Sequence, residues 1–242
     1  MSNPVYLIVG ASGGIGSALC RHLSTQDARL ALAGRSLGPL QALSEETGGS
    51  VHVLDATSIE EVQGAVDDVL AEHGRLDGVV NSVGSILLKP AHRTSPDEWR
   101  STMAANLDTA FATVRAGTSA MRKSGGSIVL LSSAAARMGL PNHDAIAAAK
   151  AGVEGLALSA AASYAPRGIR VNVVSPGLVR TPLSEHLTKS PASEKASLAM
   201  HPLGRLGEPG DVARAIAWLL DPAQSWVTGQ VLGVDGGLGS IR

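Results

Sequence analysis

The sequence predicts a single α/β domain: a doubly wound parallel sheet of about seven strands with helices on both faces. Three observations carry that expectation. Short β-branched runs recur along the 242 residues, longer segments of helical periodicity separate most of them, and no linker or internal repeat divides the chain. Parallel strands need crossovers long enough to hold a helix, and strand–helix alternation supplies them. The right-handed crossover rule then leaves the doubly wound arrangement as the natural architecture.

The strands read in order as PVYLIV (4–9), ARLALA (28–33), SVHVL (50–54), LDGVVN (76–81), GSIVLLS (126–132), IRVNVV (169–174) and GQVLGV (229–234). Each is a short apolar run bounded by turn residues. Between the third and fourth, SIEEVQGAVDDVLAEHG has helical spacing and opens on Ser58, a residue type that caps helix N-termini. EWRSTMAANLDTAFATVRAGTSAMRK reads as one helix, and NHDAIAAAKAGVEGLAL as the start of another. Only the segment at about 177–209 breaks the rhythm, with four prolines and scattered helical fragments. It follows the carboxyl end of a strand, where such sheets bind ligands, so a substrate lid is expected there.

Composition narrows the function classes. Hydrophobic residues make up 44% and charged residues 17%, the balance of a folded domain rather than a disordered one. The net charge of -1, without a run of one sign, argues against a nucleic-acid partner. Cys20 is the one cysteine, so neither an internal disulfide nor a zinc site is expected, and no metal is assigned. No stretch reads as long and apolar enough to span a bilayer, and the N-terminus lacks a secretion pattern. A cytoplasmic location and no membrane partner are the resulting expectations. With aromatics at 2%, the core must be aliphatic.

The first strand runs into VGASGGIGSAL, which holds Gly10, Ser12, Gly14, Ile15 and Gly16 between a strand and a helix. Glycines there allow a tight turn and close approach of a diphosphate, and the helix N-terminus offers unpaired N–H groups to it. The second strand ends on Gly34 and Arg35 rather than on an acid. A cation at that point attracts a 2′-phosphate, which favours NADP over NAD as cofactor. Asp55 closes the third strand, placed either to accept from an adenine amino group or to cap the next helix. Asn81 closes the fourth, and Gly84 follows it with room for close backbone contact.

Taken together these residues resemble the short-chain dehydrogenase/reductase family, whose fold is of Rossmann type, and the resemblance covers essentially the whole chain. NSVG (81–84) is similar to the family's Asn-Asn-Ala-Gly, with Ser82 and Val83 substituted. By the same resemblance Asn106 matches the helix asparagine that holds a lysine-linked water, Ser133 the substrate-binding serine, and Lys150 the catalytic lysine. SPGLVRTPL matches the loop that contacts the nicotinamide, with Pro176, Gly177, Val179 and Thr181 in it, and PLGRLGEPGDVA and VDGG match the C-terminal signatures. The family implies hydride exchange between a nicotinamide and a carbonyl or hydroxyl carbon of a small-molecule substrate. It also implies a homotetramer or homodimer formed by the Asn106 and Lys150 helices.

The family's acid/base tyrosine belongs four residues before the lysine, on the same helical face. Here that position is Ile146. Tyr6 lies in the first strand and Tyr164 far down the Lys150 helix, so neither fills in. A positioned acid/base is worth about 10²–10⁴ in rate, and an oxyanion donor a similar amount. Three readings stand. The chain is an atypical NAD(P)-dependent oxidoreductase with a substitute acid such as His143 or a held water, a weak or inactive cofactor-binding scaffold, or a site for other chemistry.

Overall fold

A computed structural model describes residues 3–241. Seven strands form one sheet, in the order β3-β2-β1-β4-β5-β6-β7, with every neighbouring pair parallel. They are β1 (Val5–Val9), β2 (Arg29–Gly34), β3 (Ser50–Val53), β4 (Gly78–Asn81), β5 (Gly126–Leu131), β6 (Ile169–Pro176) and β7 (Val231–Val234). The chain starts in the middle, moves outward through β2 and β3, then crosses back to β4 on the other side of β1. The β1–β4 boundary is therefore the switch point at which such sheets open a crevice.

Each strand sends alternate residues to opposite faces, and both faces are covered. Val5, Leu7 and Val9 of β1 join one apolar core with helices α3 (Ile59–His73), α5 (Thr109–Ala120) and α6 (Asp144–Tyr164). Tyr6 and Ile8 join the other, with α1 (Gly14–Ser24), α2 (Leu37–Thr47) and α8 (Pro209–Leu220). Apart from Tyr6, Cys20 and Met121 the buried cores are aliphatic, in keeping with the composition. Phe111 is half-exposed, and Trp226 lies 98% exposed at the surface. Short side chains let helices approach closely: a Cβ added at Gly152 of α6 would sit 2.9 Å from Leu107.

Strand ends differ from the sequence expectation by one or two residues, as hydrogen-bond pairing rather than apolar run length decides them. Two further differences concern helices. The expected single helix from Glu98 to Lys123 is α4 (Pro96–Met103), a π-helical turn (Ala104–Asp108) and α5, so one residue is accommodated where Asn106 turns inward. The expectation that no stretch could span a bilayer also needs correction. The helix Asp144–Arg167 has the length and, at a mean hydropathy of 1.3, the composition. Its apolar character comes from alanines that allow it to lie against β6, with Lys150 buried on its inner side.

Candidate functional site

The loops at the carboxyl ends of β1 to β6 converge on one crevice. At its floor, Gly10 adopts φ +85, a left-handed conformation in which a side chain would also meet Ser82 Oγ at 2.8 Å. Gly16 is stricter: a Cβ there would overlap Gly10 O. No side chain caps the N-terminus of α1, and its first turn carries no acid. By contrast α3 is capped by Ser58, as expected, and α4 by a Ser95–Glu98 capping box. The unpaired N–H groups and positive end of α1 are therefore left open to an anion. Ser82, visible in the sequence only as a substitution, ties β4 to this turn; its Oγ lies 2.9 Å from Val9 O and 3.1 Å from Gly10 O.

Arg35 lies exposed at the end of β2 and makes no ion pair among the described residues. Ser12 Oγ sits 3.5 Å from the Cβ position of Gly34, and Ser36 begins α2 with its hydroxyl unused as a cap. Ser12 Oγ thus stands beside Gly34, and Arg35 and Ser36 are the residues that follow it in the chain. Asp55 folds back on its own turn, accepting from Thr57 N at 2.9 Å and Thr57 Oγ1 at 2.8 Å. These bonds hold its carboxyl below the usual carboxylate range, with Arg35 adding a weaker pull. Asp55 is not the helix cap, since Ser58 has that place. Asn81 is buried and internally occupied. Its Nδ2 donates to Thr113 Oγ1 at 3.2 Å and its Oδ1 accepts from Val83 N at 2.9 Å, so it shapes the turn leading to Gly84.

Deeper in, a cleft of about 150 Å³ brings together Asn106 of the π-helical turn, Ser133 of the loop after β5, and Ile146 and Lys150 of α6, four residues from three elements. Ile15, Gly84, Pro176, Gly177, Val179 and Thr181 line it as well. Lys150 is buried with its Nζ donating to Leu131 O at 2.9 Å, and burial alone pushes its pKa down to about 8. Ile146, one turn earlier on the same face, forms an apolar wall. Gly84 is the spacer between two polar groups, its Cβ position lying 3.0 Å from Asn106 Oδ1 and 3.5 Å from Lys150 Nζ. Asn106 donates to Ser85 Oγ and Thr102 O, both at 2.9 Å, and accepts from Ser85 N at 3.2 Å. Ser133 Oγ accepts from Ala135 N at 3.2 Å, which leaves its hydrogen free to donate into the cleft.

His143 is not brought in. It stands at the N-terminus of α6 with Nδ1 2.8 Å from Pro141 O, outside the cleft lining. Tyr6 is buried in β1, where desolvation pushes its pKa up to about 12. Tyr164 ends α6, about 27 Å of helix beyond Ile146. Two residues that sequence patterns did not single out hold the lysine helix in place. Ser132 Oγ lies 3.1 Å from Lys150 O and 2.9 Å from Glu154 Oε1, and Arg137 Nε donates to Glu154 Oε2 at 2.7 Å.

The segment after β6 covers the crevice. Val179 bridges to Gly207, and Thr181 rests on the glycine turn, 2.7 Å from the Cβ position of Gly14. Ser184, buried, ties Thr181 in place. Its Oγ accepts from Thr181 N at 3.1 Å and donates to Val179 O. Beyond it lies α7 (Pro191–Ala199), joined to the loop by an Arg180–Glu194 ion pair at 2.5 Å.

Comparison with known proteins places this arrangement in context. A family profile described as enoyl-(acyl carrier protein) reductase matches residues 10–239. The chain is 36% identical over 246 residues to the D-threitol dehydrogenase of Mycolicibacterium smegmatis, covering 98% of this chain and 93% of that protein. It is 34% identical over 244 residues to the 3-oxoacyl-[acyl-carrier-protein] reductase FabG of Thermotoga maritima, covering 98% of each. Among solved structures, a short-chain type dehydrogenase/reductase from Mycobacterium ulcerans superposes with a TM-score of 0.93 at 34% identity, over 100% of this chain and 92% of that one. ElxO with NADP bound superposes with a TM-score of 0.92 at 28% identity, over 98% of each.

Proposed function

The chain belongs to the short-chain dehydrogenase/reductase family, and on that premise we propose that it binds NADP(H) in preference to NAD(H) and exchanges hydride with a carbonyl or hydroxyl compound without a tyrosine. The observation that carries this is the pairing of an uncapped glycine turn with a buried lysine at the head of one crevice. The residues fit the cofactor: Gly16 leaves no side chain over the turn, and no acid in the first turn of α1 opposes a diphosphate. When bound, the nicotinamide supplies or accepts the hydride.

The chain's own residues divide the rest of the work. The first N–H groups of α1 hold the diphosphate, and Arg35 with Ser12 holds a 2′-phosphate. Asp55 faces the adenine, Gly84 admits close backbone contact, and Val179 and Thr181 flank the nicotinamide. Lys150 holds ribose hydroxyls, and its pKa of about 8 keeps a proton exchangeable near neutrality. Ser133 donates to the substrate oxygen. Ile146 can do neither job of a tyrosine, so turnover of a plain ketone is slower by about 10²–10⁴ than with a phenol at that place. The segment at about 177–209 acts as the substrate lid. A homo-oligomer forms through the α5 and α6 faces, where Phe111 and Leu158 are exposed.

A second reading, a cofactor-binding scaffold with little chemistry, is favoured by one observation: Ile146 seals a cleft wall where a proton donor would stand. Calorimetric titration with NADPH and NADH, followed by hydride transfer from 4-deuterated NADPH to a carbonyl panel, tests both. Uptake with deuterium in a product supports the oxidoreductase, and uptake without transfer supports the scaffold. Folded protein that takes up neither nucleotide overturns both.

A further inference from the structure

His201 is a buried histidine outside the cleft lining, and both of its ring nitrogens are committed. Nδ1 lies 2.7 Å from Ser197 O, in the last turns of α7. Nε2 lies 3.1 Å from Leu178 N, in the loop between Gly177 and Val179. A carbonyl can only accept and a backbone amide can only donate, so the partners fix the tautomer: hydrogen on Nδ1, lone pair on Nε2. The ring lies over Gly177, whose Cβ position is 2.7 Å from Nε2. The neighbouring backbone groups of that loop are satisfied otherwise. Gly177 N donates to Val234 O at 3.2 Å, Leu178 O accepts from Gly207 N at 2.9 Å, and Arg180 N donates to Gly207 O at 2.8 Å. Among the described residues, His201 is thus the one side chain that joins α7 to the cleft-lining Gly177–Val179 loop by hydrogen bonds of its buried ring.

We propose that His201 is a positioning residue that holds the α7 segment against the Gly177–Val179 loop and so sets the cleft wall formed by that loop. This rests on the nucleotide-binding reading above and adds a residue that shapes its site. Loss of the Nε2 acceptor leaves Leu178 N–H unpaired in a buried site, where an unpaired N–H is costly. The surrounding charges are already engaged. Asp211 is held by Arg205 at 2.6 Å and Arg214 at 2.9 Å, and Asp235 accepts from Gly237 N and Gly239 N, both at 2.9 Å. On the loop and on α7, Arg180 pairs with Glu194 and approaches Glu208 at 3.6 Å. Lys195 is the remaining charge on α7. None of these carboxylates is placed as a hydrogen-bond acceptor for a second ring N–H.

The test uses the full chain, first without nucleotide. Ring ¹⁵N shifts at about pH 8 should report the Nδ1–H tautomer. Hydrogen exchange at the Leu178 amide, corrected for intrinsic rate, should be about tenfold faster in His201→Leu than in the wild type at that pH. The dissociation constant for NADP⁺ should rise by a similar factor in His201→Leu. His201→Gln, whose amide oxygen can accept from Leu178 N–H while its NH₂ donates to Ser197 O, should restore both. An Nε2–H tautomer, a Leu178 amide no faster in His201→Leu, or no rescue by His201→Gln overturns the positioning role. An unchanged NADP⁺ constant beside a faster amide overturns its coupling to the cofactor. Because ring shifts and exchange are read without nucleotide, a protein that binds none would refute the functional reading and still leave the positioning role to be judged.

Discussion

The glycine turn and the head of α6 face the same crevice and are built on opposite terms. At the turn, the working groups are backbone N–H donors, and the side chains matter by being absent: a Cβ at Gly16 would strike Gly10 O. At the head of α6 the working groups are side chains, Lys150 and whatever stands one turn before it. A backbone device survives most substitutions of its neighbours. A side-chain device depends on single residues, and one turn before Lys150 that residue is Ile146. On the function proposed above, nucleotide binding and proton transfer are therefore separable, and one can change while the other stays.

The sharpest way to break that comparison is Ile146→Tyr. If only the phenol is missing, kcat/KM against a ketone panel rises by about 10²–10⁴ with nucleotide affinity nearly constant. A gain that comes instead through tighter nucleotide binding would show that the two regions are not independent.

Lys150 gives the next largest effect, read in stability without cofactor. Burial lowers its folded pKa from 10.5 to about 8. Below about pH 8 both folded and unfolded chains carry the proton, and the full cost of burying the charge is present. From about pH 8 to about pH 10.5 the unfolded chain keeps a proton that the folded one has released, so stability rises with pH. The rise is on the order of 3 kcal/mol and should vanish in Lys150→Met. Cys20 and Tyr6 act in the opposite sense, since burial pushes both up to about 12. They retain protons in the folded state, and their contribution falls as pH climbs past their ordinary values. Denaturant titrations of wild type and Lys150→Met at matched pH isolate the lysine by difference.

Arg35→Ala probes the outer part of the nucleotide region. Losing a charge-assisted contact to a 2′-phosphate should reduce the NADPH-over-NADH preference about tenfold, measured by calorimetry. Equal affinities in the wild type would remove the basis for NADP. The smallest effect is expected from His143→Ala. With its ring turned to Pro141 O and away from the cleft, activity should change less than about twofold and stability by less than about 0.5 kcal/mol. A large loss of activity would make His143 the acid that Ile146 is not.

Much of this was legible along the chain because it is local. The strand VYLIV, the Ser58 cap, the glycine turn and the shared face of Ile146 and Lys150 follow from spacings of a few residues. The π-helical turn at Asn106 was not legible, since the residues around it have ordinary helical character and the bulge appears only where α6 packs closely at Gly152. Ser82 looked like a mere departure from a family motif. It proved to be the hydroxyl that spans β4 and the glycine turn. Ser132, Glu154 and Ser184 carried no pattern at all, being single polar residues whose meaning lies in their partners.

The order of strands and helices, the turn over which a diphosphate can lie, and the absence of a phenol beside Lys150 are fixed by the amino-acid sequence, because backbone sterics and helical periodicity act over short distances. Tertiary structure alone decided that Lys150 reaches Leu131 O, that His143 stays outside, and that His201 joins α7 to the Gly177 loop. Those outcomes depend on which atoms from remote segments meet in a dry interior, where each donor must find its acceptor.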